Sequence, residues 1–242
     1  MIRNTFLFLD KIGRRKESLI WQSGIKDWND FLKTQKINGI SVQSKYYYDR
    51  KIREAQQALL QENAFYFNGK IPSIERWRLY HYFKENCCFV DIETDSYGRI
   101  TVVGIADSIM TKHFVRGINF ESPSIKNELQ KYTVIITFNG SSFDLPKLKK
   151  EGLTLHHLHI DLKPLCINLG LKGGLKEVEK ILQLKRPAHL YGNPVDLWKS
   201  FHASGDREYL DLLLDYNRED CENLQNVMNY VYKEMSNKLY KH

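Results

Sequence analysis

The sequence lacks any apolar run approaching the roughly 20 residues needed to cross a bilayer. Its first apolar stretch, Phe6 to Leu9, stops at Asp10 and is too short for a signal-peptide core. A soluble, cytoplasmic protein without membrane contact is expected. Cysteine is scarce: Cys87, Cys88, Cys166 and Cys221 form no C-x-x-C pair and match no common zinc spacing. That argues against a disulfide scaffold or a structural zinc site and leaves reduced, buried thiols. Repeats and low-complexity tracts are absent, which excludes solenoids and long disordered tails. Acid is deficient in one place only. Residues 1–85 carry 16 Lys or Arg against 9 Asp or Glu, whereas 86–242 carry 20 of each. The whole excess of +7 therefore lies in the first third. A basic segment beside a neutral one suggests a polyanion-binding surface attached to a module with another task. A merely basic, solvated surface is the competing explanation.

The 242 residues, 42% hydrophobic, can fill one sizeable core with a smaller attachment. Residues 1–85 read as helical. Ile25, Trp28, Phe31 and Leu32 recur at helical spacing, and Tyr46 to Leu60 is rich in helix formers. Asn68-Gly69 and Pro72 mark a break, and Ser73 is expected to cap a helix reaching about Lys84. From Cys87 the pattern changes. Strands are expected at Cys87–Glu93, Ile100–Ala106 and His113–Ile118, an antiparallel meander with short links. Ser122-Pro123 opens a helix, Val134–Phe138 is a strand, Asp144–Lys150 a helix and Leu155–Asp161 a strand. Helices follow near Leu175–Leu184, Val195–Ala203 and Arg207–Tyr240. Three antiparallel strands, then parallel strands alternating with helices, describe an α/β fold: a mixed sheet flanked by helices, with a helical N-terminal extension. The ribonuclease H-like fold has this element order.

Three groups of acidic residues carry chemical interest. Asp91 and Glu93 are two apart at the end of an apolar strand, so both point to one face. Two adjacent carboxylates repel, and burying them is costly without a cation, for which magnesium or manganese is the natural partner. A solvated strand end is the alternative. Asp144 follows Asn139-Gly140-Ser141-Ser142-Phe143, and Pro146 places it at a helix N-terminus, where the helix dipole favours a carboxylate. There it is a metal ligand or simply a cap. Leu213, Tyr216, Asp220, Leu224, Val227 and Val231 step by three or four along the last helix, an apolar stripe that carries Asp220 inward with Tyr216 one turn before it. A buried aspartate needs a partner, either an arginine or a metal shared with Asp91 and Glu93.

Phe89-Val90-Asp91-Ile92-Glu93-Thr94 resembles the first motif of the DEDD exonuclease superfamily. Asn139 to Asp144 is similar to its second, N-x-x-x-F-D, and Tyr216 to Asp220 to its third in the Y-x-x-x-D form. The histidine form would need His where Asp215 stands. Gly170-Leu171-Lys172-Gly173-Gly174-Leu175-Lys176, followed by Glu179, resembles more narrowly the YprB-like ribonuclease H-like exonuclease domains. The resemblance covers roughly residues 86–235. It implies a metal-dependent 3′→5′ exonuclease acting on DNA or RNA ends, single-stranded ones most readily, and releasing nucleoside 5′-monophosphates. Four carboxylates, Asp91, Glu93, Asp144 and Asp220, would hold two divalent cations, Mg2+ or Mn2+, roughly 4 Å apart. Asp91 would bridge them, and Tyr216 would orient the attacking water. Thr94, Asn139 and Phe143 would lie against the substrate. Asn139 either braces the loop near Asp144 or only forms its turn.

Asp161 ends a strand near the expected site, and a helix-capping role suits it better than metal contact. His157 and His159 share a strand face, which a polar strand edge explains without zinc. Phe8 to Glu17, with a turn at Ile12-Gly13 and the basic residues Lys11, Arg14 and Arg15, resembles a degenerate helix-hairpin-helix, in which backbone N–H groups and cations meet a phosphate. A helical cap packed through Trp21, Trp28 and Phe31 is equally compatible. Arg76, Trp77, Arg78 and Tyr80 are either a stacking surface for single strands or a buried aromatic segment. Two other functions compete with the exonuclease: a non-catalytic nucleic-acid binding module and a structure-specific ribonuclease H-like endonuclease. Tyr216 argues against the endonuclease, and the complete set of carboxylates argues against the inert module.

Overall fold

The computed structural model describes residues 1–190 and 192–240, with Tyr240 described by its backbone alone. Of the C-terminal region expected at 86–242, Tyr191, Lys241 and His242 lie outside the described residues. The chain divides into two compact units, Met1–Lys84 and Glu85–His242.

The first unit is helical: α1 (Arg14–Gln22), α2 (Trp28–Lys33) and α3 (Val42–Leu60), with short 3-10 turns between and around them. Asp27 caps α2 by accepting from the N–H groups of Asn29 and Asp30, so the helix begins after Ile25 rather than including it. Phe6, Trp28, Phe31, Ile52, Phe67 and Trp77 are buried, and Phe8 meets the edges of Trp28 and Phe67 at ring-centroid distances of 5.2 and 6.0 Å. Ser73–Leu79 is a 3-10 helix starting after Pro72, not an α-helix capped by Ser73. Trp77 and Arg78 of this helix and Tyr80 just after it are buried, which closes the stacking alternative for these three. Arg78 bonds Glu17 at 2.8 Å, Glu75 at 2.7 Å and the Thr5 hydroxyl at 2.9 Å, so its charge is neutralised where it lies.

The second unit is built on a five-stranded sheet in the order β3-β2-β1-β4-β5. Its strands are β1 (Cys87–Thr94), β2 (Ile100–Ala106), β3 (Thr111–Val115), β4 (Val134–Thr137) and β5 (Leu158–Asp161). β1 pairs antiparallel with β2, and β2 with β3; β1 and β5 each pair parallel with β4. The expected mixed α/β sheet, antiparallel meander first and parallel strands after, is what forms. β3 ends at Val115 instead of Ile118, because Gly117 turns the chain at φ +81° and the Asn119 side chain accepts from the Val115 N–H at 2.6 Å. β5 begins only at Leu158. The helices are α4 (Ser122–Leu129), α5 (Asp144–Lys150), α6 (Leu162–Asn168), α7 (Leu175–Ile181), α8 (Pro194–Ser204) and α9 (Arg207–Tyr240). Glu121 stands at the cap position of α4, so Ser122 is already helical and donates instead to the Glu151 carbonyl.

The two faces of the sheet bury different cores. Cys88, Val90 and Ile92 of β1, with Val103 and Ile105 of β2, pack with Ile125 and Leu129 of α4 and Leu148 of α5. Val102 and Val115 pack on the other face with Leu197 and Trp198 of α8 and with Leu210 and Leu213 of α9. Side chains alternate along a strand. With Val90 and Ile92 committed to the α4/α5 core, Asp91 and Glu93 are turned to the face that α9 covers. Among the described residues no helix is long and apolar enough to cross a membrane.

Candidate active site

The carboxylates meet at the C-terminal end of β1. One carboxylate oxygen from each of Asp91, Glu93 and Asp220 lies within 4.8 Å of the others. Asp220 reaches them because its stripe on α9 faces the sheet: Leu213, Tyr216, Leu224, Val227 and Val231 are all buried beside it. Among the described residues this is the one such group of three, and no histidine or cysteine belongs to it. His159 instead contacts the Thr137 hydroxyl at 2.9 Å and His157 the Leu129 carbonyl at 3.0 Å.

A close approach of α9 to β2 sets this geometry. Gly104 lies opposite Asp91 in the register. A Cβ there would stand 2.0 Å from Asn217 Oδ1 and 2.8 Å from Cys221 Sγ. The missing side chain makes room for Asn217, which is fully buried and donates from Nδ2 to Asp91 Oδ2 at 2.8 Å. Asn217 thus fixes the Asp91 carboxylate. It escaped sequence reasoning, and the signal that could have found it is the lone glycine inside an apolar strand, which often marks a close approach of another segment.

Asp144 is buried at the first residue of α5. It accepts from its own backbone N–H and from that of Ile92, which places it against β1. The loop before it is shaped by Asp161. That side chain caps α6 through the Lys163 N–H at 3.2 Å and also accepts from the Asn139 and Ser141 N–H groups at 2.7 and 3.1 Å. Asn139 adopts a left-handed φ of +66°, and its carbonyl accepts from Ser142 and Phe143, so its backbone makes the turn. Gly140 is required there, since a Cβ would stand 2.0 Å from Thr137 Oγ1. Phe143 remains exposed, with the Lys147 ammonium 4.8 Å from its ring centre. Thr94 is half-buried where a register shift ends the regular pairing of β1 with β2. Lys11, Arg14 and Arg15 belong to the first unit and are exposed. Lys11 takes a left-handed φ of +62° ahead of α1, and Arg14 forms an ion pair with buried Glu75. The segment before this turn, residues 7–11, is a run of turns rather than a helix.

The electrostatics are those of crowded like charges. Burial, then Asp220, Glu93 and Asp144, push Asp91 well above the usual carboxylate range, opposed by the Asn217 hydrogen bond. Burial and Asp220 push Glu93 up to about 8, opposed by Lys176 and Arg186. Burial lifts Asp144 to about 7. Asp220 is raised by burial too, and Arg186 opposes the rise. Arg186 is the arginine partner that sequence reasoning left open for Asp220. It forms an ion pair with Asp220 through Nη2 and binds both oxygens of buried Glu179 at 2.7 Å. The glycine-rich segment explains how it is held. Gly173 turns the chain at φ +107°, Gly174 starts α7 with Glu177 accepting from its N–H at 2.9 Å, and α7 then carries Lys176 and Glu179 toward α9. Lys176 Nζ stands 4.3 Å from the centre of the Tyr216 ring.

Such a set fits divalent cations. It offers hard oxygen ligands and no soft ones, and its like charges are only partly offset by Arg186 and Lys176.

A family model described as the RNase_H superfamily matches residues 88–232. No curated protein matches the chain. Among solved structures, a family B DNA polymerase from the hyperthermophilic archaeon Pyrobaculum calidifontis is similar at 15% identity and a TM-score of 0.47. The similarity covers 60% of this chain and 24% of the polymerase chain, so this chain spans about a quarter of that structure. The family match takes in all of the site's carboxylates and Tyr216, and this chain belongs to the RNase H superfamily.

Proposed function

We propose that this protein is a metal-dependent 3′→5′ exonuclease of the DEDD type with a tyrosine in its third motif. The observation that carries this is the convergence of Asp91, Glu93 and Asp220 within 4.8 Å, on the sheet face that α9 covers, in a domain of this superfamily. Asp91, Glu93 and Asp220 would hold divalent metal together, with Asp144 beside them. When bound, Mg2+ or Mn2+ would supply a water of lowered pKa and countercharge for the leaving oxygen. The chain's own groups do the rest. Asn217 holds Asp91 in one orientation. Tyr216, one turn from Asp220, would position water with its hydroxyl. Water attacks phosphorus, the bond to the 3′ oxygen breaks, that oxygen takes a proton, and the terminal nucleotide leaves as a 5′-monophosphate. Phe143, exposed beside Asp144, offers a stacking face to the terminal base, and Thr94 and Asn139 would line its path. Lys11 and Arg15, exposed on the basic unit, would add contacts to nucleic-acid backbone.

One observation favours a second reading, a non-catalytic nucleic-acid binding module: Arg186 pairs with Asp220 and offsets its charge from within the chain. Digestion of 5′-labelled single-stranded DNA and RNA, with Mn2+, Mg2+ or EDTA, separates the two. The exonuclease gives a metal-dependent ladder shortening from the 3′ end, absent from Asp91→Ala, and the preferred strand identifies the sugar. Strand binding with no cleavage in either metal overturns the exonuclease in favour of the module. Internal fragments without mononucleotide release would instead indicate an endonuclease.

A further inference from the structure

Arg186 pairs with Asp220, one of the carboxylates proposed above to hold metal. Its Nε and Nη2 are committed to Glu179, and Nη2 also reaches Asp220. Its Nη1 is buried and has no hydrogen-bond partner among the described residues. A buried guanidinium nitrogen left in that state is costly unless something else satisfies it. The guanidinium carbon is 5.4 Å from the centre of the Tyr216 ring, and Lys176 lies 4.3 Å from the same ring. Two cations therefore flank the side chain proposed to position the attacking water. A planar fork with donors to spare matches the oxygens of a phosphate, and an ammonium matches them as a point charge.

We propose that Arg186 is a phosphate-positioning residue that is exchanged between two partners. Without metal it neutralises Asp220. With Asp220 committed to a divalent cation, the guanidinium would stay anchored on Glu179 through Nε and one Nη2 N–H and would offer its second Nη2 N–H and its unpartnered Nη1 to the substrate phosphate, with Lys176 assisting. Metal and arginine then compete for one carboxylate, so each weakens the other's hold on it. With a divalent cation on the carboxylates, Arg186 and Lys176 would be free to hold phosphate; with Asp220 still paired to Arg186, they would not. This rests on the acidic cluster being a metal site, as proposed above.

The test is calorimetric titration of Mn2+, without nucleotide, into wild type, Arg186→Gln and Arg186→Lys. Thymidine 5′-monophosphate is then titrated into each at saturating Mn2+. Removing the competing cation in Arg186→Gln should tighten Mn2+ about five-fold or more, and removing the fork should weaken the nucleotide about ten-fold. Arg186→Lys keeps a charge opposite Glu179, so it protects the fold if the glutamine variant fails. It should bind Mn2+ near the wild-type level and the nucleotide about five-fold more weakly, because an ammonium cannot supply the fork. A purely structural arginine predicts the reverse for the metal: weaker Mn2+ in Arg186→Gln, or nucleotide binding unchanged in both variants. Either result overturns the exchange while leaving the metal site intact. Failure of the wild type itself to bind Mn2+ overturns the metal site and the exchange together.

Discussion

Both units of this protein bury charge, and they do so to opposite ends. In the first, Arg78 lies among Glu17, Glu75 and Thr5, and every partner is within 3 Å. The charges are satisfied inside the chain and call for nothing from outside. In the second, Asp91, Glu93, Asp144 and Asp220 crowd together, with Glu179 close by, and Arg186 and Lys176 offset them in part. A protein tolerates a self-neutralised cluster as part of its core. A cluster left negative costs stability, and the cost is understandable where a cation completes it. Burial of charge alone is thus no sign of function; the sign is an imbalance that the chain does not correct.

The contrast can be broken most sharply by one substitution in each cluster. Asp91→Asn removes a repelling charge while keeping shape. Cleavage should fall at least about 1,000-fold, near 4 kcal/mol of barrier, while the melting temperature holds or rises. Arg78→Met leaves Glu17 buried without its cation and Glu75 with Arg14 alone, and should cost about 3–5 kcal/mol of stability, read by denaturant unfolding. A Tm loss in Asp91→Asn equal to that in Arg78→Met would erase the distinction.

Gly104→Ala tests how the acidic cluster is assembled. The added methyl collides with Asn217 and Cys221, so overpacking should cost about 1–3 kcal/mol and displace the group that orients Asp91. Mn2+ affinity should fall alongside stability; unchanged Mn2+ affinity would separate Asn217 from the metal site. Tyr216→Phe removes only the hydroxyl. We expect about a 100-fold loss of turnover with Mn2+ affinity unaltered.

The smallest expected effect is a dependence on pH. Glu93 and Asp144 are pushed up to about 8 and about 7 from ordinary values of 4.5 and 3.8. The folded chain therefore holds protons that the unfolded chain would release. Their contribution to stability is fully present below about pH 4 and is lost as pH rises toward 8. Metal-free protein should melt a few degrees lower at pH 8 than at pH 5, and Mn2+ should raise Tm more at pH 8, because metal displaces those protons. A Tm that rises from pH 5 to pH 8 without metal would contradict the crowding.

The sheet was readable in the sequence because its signals are local. Alternation put Asp91 and Glu93 on one face, and the three-and-four stepping of α9 turned Asp220 and Tyr216 inward. What was not readable depends on distance along the chain. Arg186 precedes Asp220 by 34 residues and sits beyond α7, where no periodicity reports direction. Asn217 follows Tyr216 directly, and only Gly104, on another strand, hints at its depth. Asp161 shows its capping role in sequence, but its grip on the Asn139 and Ser141 N–H groups needs β4 and β5 side by side. In the first unit, Trp77, Arg78 and Tyr80 looked equally suited to stacking or burial, since a 3-10 helix carries no 3.6-residue stripe to decide between them.

The most direct measurement is the number of Mn2+ ions bound per chain near pH 7.5, by calorimetry or electron paramagnetic resonance, in wild type and in Asp91→Ala. A divalent-metal centre built on the unbalanced carboxylates predicts saturable binding of about two ions in the wild type, and its loss when Asp91 is removed. Equal binding in both proteins, or none in the wild type, would contradict it.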